Sequence, residues 1–336
     1  MTGRPLAAIA AALAALATLG SIGASTASGN PVRAAGAGSG SRTVVAPYVD
    51  MGAPELFPTA LAAIRQAHLG AVSAGFVTSR SGCTPRWDDG RAVAQDRRQQ
   101  RFLAAARRSG ARPIVSFGGQ MNPPTHDLAE TCRSVSGLAA AYAAVARRLH
   151  VTALDFDIEG ARLDEGTSIA RRAKALGMLQ KQHPAWSISL TVPVMPSGLP
   201  GDVRTMLAVT RKAGVRIAVL NLMTMDYGGR HEMGAAAEQA ARRSLPQFRR
   251  YFPNAGWRSL GLTPMIGRND VSSEVFTLAD ARRVASFARS HRVGRMAFWA
   301  LGRDIACPRP TTTARYDCSG MPQSPYEFSR RFAAAR

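Results

Sequence analysis

The chain has 336 residues, enough for one large domain or two ordinary ones, and carries 43 basic against 22 acidic residues for a net charge of +21. Apolar residues make up 46% of it, which suits a sizeable core and excludes a disordered or fibrous chain. The cations are nearly all Arg, often paired as in Arg107-Arg108 and Arg171-Arg172, with Lys174, Lys181 and Lys212 the lysines; with no recognisable binding motif beside them, they read as solvated helix faces able to meet an anionic polymer, not as a nucleic-acid interface.

The first residues, Met1-Thr2-Gly3-Arg4, then an Ala/Leu-rich run from Leu6 to Leu19 and small residues to Ala27, follow the pattern of a secretory signal peptide over 1–27. A membrane span needs about 20 apolar residues, so no stable membrane insertion is expected. Residues 28–42 form a Gly/Ala/Ser leader, leaving a single exported domain over 43–336 that is expected to act as a monomer. Cys83, Cys132, Cys307 and Cys318 lack a CxxC spacing, which argues against a zinc site and for two disulfides. Four cysteines allow three connectivities; Cys83 with Cys132 and Cys307 with Cys318 is favoured, since each pair would tie loops of one neighbourhood.

Short β-branched or apolar runs predict strands over 43–48, 71–77, 112–117, 153–160, 187–192, 217–225, 259–265 and 295–300. Each is followed by a helical pattern, at 59–67, 95–109 (closed by Gly110), 136–149, 167–183, 204–213, 233–250, 278–291 and 325–334. Strict alternation means a parallel sheet, and eight units close into an α/β (β/α)8 TIM barrel. A doubly wound open sheet is the alternative, but no GxGxxG follows any of the strands.

Within Ala153-Leu154-Asp155-Phe156-Asp157-Ile158-Glu159-Gly160, strand alternation puts Asp155, Asp157 and Glu159 on one face and Leu154, Phe156 and Ile158 on the other. Lining up carboxylates on a greasy strand is costly unless chemistry uses them. Barrel chemistry sits at the carboxyl ends of strands, where this chain has Tyr48 and Asp50, Ser116 with Gly118-Gly119, Met195, Asp226 and Tyr227, the Asn269-Asp270 loop and Trp299. Acids with Tyr and Trp, without a His cluster or a phosphate-cradling loop, point to a sugar: aromatic faces stack on the ring while carboxylates move protons. Ser116 with its glycines could instead be a tight strand exit, Trp299 core, and Asn269-Asp270 plain loop structure.

These residues resemble glycoside hydrolase family 18, the chitinases and their endo-acting relatives. The run from Asp155 to Glu159 looks like the family's DxxDxDxE, Ser116-Phe117-Gly118-Gly119 like its SxGG, and Trp299 like its pocket-floor tryptophan. Two departures stand out: the first signature aspartate is Thr152, implying weaker buttressing of the row, and the usual Met-x-Tyr-Asp reads Met223-Thr224-Met225-Asp226 with Tyr227 one step later. The resemblance implies substrate-assisted retention on chitin or chitooligosaccharides, without cofactor or metal. Glu159 would be the general acid/base, Asp157 would hold the acetamide and share a proton or hydrogen bond with Asp155, and neighbouring carboxylates would raise Glu159. Asp226 and Tyr227 would assist, with Tyr48, Ser116, Gly118, Gly119, Met223, Met225 and Trp299 around the substrate. The same residues would fit an endo-β-N-acetylglucosaminidase acting on N-glycans; a chitin-binding lectin on this barrel would typically lack the acid, and Glu159 is present.

Overall fold

A computed structural model describes residues 42–336; the expected signal peptide and all but the last residue of the expected leader lie outside the described residues. Eight parallel barrel strands run at Val44–Val45 continuing as Tyr48–Asp50 (strand one), Ala71–Thr78 (two), Arg112–Gly118 (three), Ala153–Asp157 (four), Ser187–Pro193 (five), Val219–Met223 (six), Leu260–Thr263 (seven) and Arg295–Met296 (eight). Strand one closes the ring, pairing Val44 with Arg295 on one side and Tyr48 with Ser73 on the other. Its expected single run is split at Ala46-Pro47, because Pro47 has no N–H to donate; its carbonyl still accepts from Ser73.

The expected helices are present as Phe57–Gln66, Arg97–Arg108, Val135–Arg148, Gly166–Gln182, Gly201–Lys212, Met233–Arg249, Leu278–His291 and Glu327–Ala333. Local chemistry sets their ends. Asp96 caps the second by accepting from the amides of Arg98 and Gln99, and Thr277 with Asp280 forms a reciprocal capping box on the seventh. The chain leaves the second helix through Gly110, whose φ of +88° is open to glycine without strain. Small features that were not expected include a short helix at Leu128–Thr131, a two-residue strand Arg86–Trp87 antiparallel to strand two, and a hairpin of Gly267–Arg268 with Val275–Phe276.

The apolar side of strand four faces the helices. Phe156 stacks on Phe117 at 5.1 Å and meets the ring edge of Tyr142 from Val135–Arg148 at 4.9 Å, with Leu154 and Ile158 each 1% exposed beside them. Burial of such side chains stabilises by about 1.5–3 kcal/mol each, and the period of two then commits Asp155 and Asp157 to the barrel interior. The cysteines pair as Cys83–Cys132 and Cys307–Cys318. The expectation that the Arg pairs lie on solvated faces needs one correction: Arg172 is 2% exposed, its Nη2 3.0 Å from Asp127 Oδ2. No helix among the described residues is long and apolar enough to cross a membrane.

Candidate active site

The carboxyl ends of the strands open into a cavity of about 220 Å³ lined by Tyr48, Asp50, Phe76, Asp88, Gln120, Asp157, Glu159, Met223, Met225, Asp226, Thr263, Met265, Asp270 and Trp299. Strand four ends at Asp157, but Glu159 keeps an extended backbone (φ −144°, ψ 167°), so the alternation carries on and both carboxylates reach the cavity. Three aromatic rings form one wall: Phe76 stacks on Trp299 at 5.6 Å and 15°, and Tyr48 lies 5.8 Å from Phe76 and 6.1 Å from Trp299.

Asp155 sits one layer lower, fully buried and outside the cavity lining. Donors from four strands converge on it. Oδ2 accepts from Ser116 Oγ at 2.8 Å, Tyr48 Oη at 2.9 Å and Thr191 Oγ1 at 2.9 Å; Oδ1 accepts from Ser189 Oγ at 2.5 Å and Arg295 Nη1 at 3.2 Å. The room for Arg295 comes from Gly261 on strand seven, where a Cβ would lie 3.1 Å from the Arg295 Cβ and 2.4 Å from Asn221 Oδ1. With both oxygens filled from other strands, Asp155 is an acceptor anchored by a buried cation, and the expected hydrogen bond to Asp157 is not among its contacts. Thr152, the departure from the family signature, is exposed just before strand four, at the end away from Asp157.

Asp157 and Glu159 are held differently. Asp157 is 4% exposed with its Oδ1 unpartnered, and burial, then the charges of Glu159 and Asp155, push its carboxyl well above the usual range. Glu159 is pushed up to about 7, first by burial and then by Asp226 and Asp270, against the lowering pull of Arg162. Desolvation leads, and the charges of Asp226 and Asp270, from the loops after strands six and seven, add to the mutual repulsion between Glu159 and Asp157. Beside Phe76, whose carbonyl accepts from its amide, Asp88 is held up to about 8 by burial and by Asp50 and Asp89.

Not every expected site residue meets the cavity. Tyr48, Asp157, Glu159, Met223, Met225, Asp226 and Trp299 line it; Asp155, Ser116, Gly118, Gly119 and Tyr227 do not. Ser116 is buried beneath as a donor to Asp155. Gly118 and Gly119 have φ of +102° and +81°, and a Cβ on them would lie 2.0 Å from the Asp157 carbonyl oxygen and 2.5 Å from the Phe76 ring. They bring strand three against the acid and the aromatic wall. Tyr227 turns away, 6% exposed and edge-on to His231 at 5.4 Å, because Asp226 takes φ +52° just beyond strand six. Met225 fills the position facing the cavity. Asn269 is loop structure, donating to the carbonyls of Met265 and Gly267, while its neighbour Asp270 lines the cavity. Phe76, Asp88, Gln120, Thr263, Met265 and Arg295 were missed; the strand ends at Phe76 and Met265 carried the signal that could have found two of them. Among the described residues no three His, Cys, Asp or Glu side chains are grouped to hold a metal ion.

Comparison with known proteins fits this geometry. The chain is 30% identical over 310 residues to the probable bifunctional chitinase/lysozyme of Escherichia coli (strain K12), covering 86% of this chain and 34% of that protein. It is 32% identical over 281 residues to endochitinase 11 of Metarhizium anisopliae, covering 78% of this chain and 52% of that one. The chain thus spans about a third to a half of the length of these curated relatives. The solved catalytic domain of the hyperthermophilic chitinase from Pyrococcus furiosus superposes with a TM-score of 0.76 at 28% identity, over 87% of this chain and 94% of that domain. In sequence and fold the chain is similar to the chitinases of glycoside hydrolase family 18. A GH18 chitinase from Pseudoalteromonas aurantia, at 16% identity and a TM-score of 0.55, shares the family fold over 77% of this chain. No family model matches the chain.

Proposed function

We propose that the protein hydrolyses β-1,4 links between N-acetylglucosamine units of chitin or chitooligosaccharides by substrate-assisted retention. The observation that carries this reading is a carboxyl near neutrality, Glu159, beside the unpartnered oxygen of Asp157 above an aromatic wall ending in Trp299. An acid with its pKa near 7 is still protonated at neutral pH yet gives up its proton readily. Glu159 therefore protonates the glycosidic oxygen as the C1–O bond breaks, and the acetamide carbonyl oxygen of the same sugar bonds to C1. Asp157 Oδ1 accepts the acetamide N–H and offsets the positive charge that develops on the resulting oxazolinium ring. Glu159, now ionised, takes a proton from the water that reopens the ring, restoring the β configuration. Tyr48, Met223, Met225 and Asp226 shape the pocket around the acetamide, and Trp299 supports the sugar face.

Export is part of the same proposal: the signal-peptide pattern over 1–27 and two disulfides suit an oxidising compartment. Proton NMR of the first product from a defined N-acetylglucosamine oligomer tests the mechanism. The β anomer is expected, and initial α anomer would overturn it.

A further inference from the structure

Beyond the cavity, the described residues leave Val44, Met195 and Tyr316 as exposed large apolar side chains, and Tyr316, at 58%, is the aromatic one. An isolated surface aromatic needs no explanation by itself, but the position of this one does. Tyr316 borders a small hollow with Asp50, Leu56, Trp299 and Gly302, and two of those, Asp50 and Trp299, also line the main cavity. Through the shared Asp50 and Trp299, the hollow brings the exposed ring of Tyr316 next to the aromatic wall of the cavity.

The loop that presents Tyr316 is tethered rather than free. Cys307–Cys318 closes it 2 residues past Tyr316, and the adjoining Arg315 forks onto Asp317 through two contacts of 2.8 Å. Beyond the disulfide, Ser319 donates its amide to Ile305 and accepts from the Arg268 amide, joining the loop to the edge of the barrel mouth. A ring held on such a loop loses little conformational freedom when a ligand stacks on it, and tyrosine offers a broad apolar face with a polar tip that tolerates water. A pyranose ring has the matching shape, with axial C–H groups on a flat face and hydroxyls at its edge.

We propose that Tyr316 forms an outer sugar-binding subsite, on which a ring of the same glycan chain stacks after passing the ring seated on Trp299. This rests on the amino-sugar reading of the cavity and extends it to substrate length: oligomers long enough to reach the rim bind better than those that fill only the cavity. Steady-state kinetics of wild type, Tyr316→Ala and Tyr316→Trp on the N-acetylglucosamine trimer and hexamer test it, with thermal melting to show that each variant is folded. Tyr316→Ala is expected to raise the hexamer KM about tenfold, leave kcat and the trimer KM unchanged, and be rescued by Tyr316→Trp. Equal effects of Tyr316→Ala on both oligomers, or none on either, would overturn the subsite alone. A wild type that cleaves neither oligomer would overturn the amino-sugar reading and the subsite with it.

Discussion

The two ends of the acid row on strand four are built on opposite principles. At the lower end Asp155 receives five donors, one of them the buried guanidinium of Arg295, so both oxygens are fixed in direction. At the upper end Asp157 has an unpartnered oxygen, and Glu159 faces the cavity with its carboxyl raised to about 7. One strand thus supplies both an anchored acceptor and a movable proton. The difference follows from depth: the interior offers hydroxyls and a cation from neighbouring strands, whereas the mouth leaves the acids desolvated and waiting for a ligand.

The largest expected effect breaks the upper end. Glu159→Gln removes the acid and should lower kcat by about 10²–10⁴-fold or more while the protein stays folded, as read by oligosaccharide turnover and circular dichroism. Breaking the lower end instead should cost stability: Arg295→Gln leaves Asp155 buried without its cation, and denaturant unfolding should show a loss of about 3–5 kcal/mol, partly restored by Arg295→Lys. An unfolding midpoint equal to wild type would show that the pair anchors nothing.

Titration sharpens the contrast. Because Glu159 has its folded pKa raised to about 7, kcat/KM should fall as pH rises through that value and the acid loses its proton. The same shift has a stability sign. The protonated form is favoured by the fold, so this contribution is fully present below the unfolded value and lost as pH rises through about 7. Above that pH Glu159→Gln should therefore melt higher than wild type, and a lower melting temperature would refute the desolvated state of the acid. Smallest of all, Tyr227→Phe should leave kcat/KM within about twofold, since the ring faces His231 and not the cavity; a large drop would restore the tyrosine to the reaction.

Much of this was legible in the sequence, for identifiable reasons. The barrel followed from eight alternations, and the inward direction of Asp155 and Asp157 from a period of two that Leu154, Phe156 and Ile158 enforce on the other face. What the sequence hid were places where the period stops. Strand six ends at Met223, and the backbone turn at Asp226 sends Tyr227 away and leaves Met225 facing the cavity, which spacing alone could not decide. Arg295 was hidden differently: a lone Arg opening a strand looks like surface, and its partner Asp155 stands 140 positions earlier in the chain. The glycines after Ser116 were read as ligand contacts or a tight strand exit, and their use in the fold is a close approach: Gly118 admits the Asp157 backbone and Gly119 the Phe76 ring.

That use has a consequence for altering the site. Since even a methyl group at Gly118 would press on the Asp157 carbonyl from 2.0 Å, the placement of that acid depends on atoms that are missing from strand three. Its surroundings can be altered from behind the pocket, by a substitution that leaves every residue lining the cavity chemically unchanged.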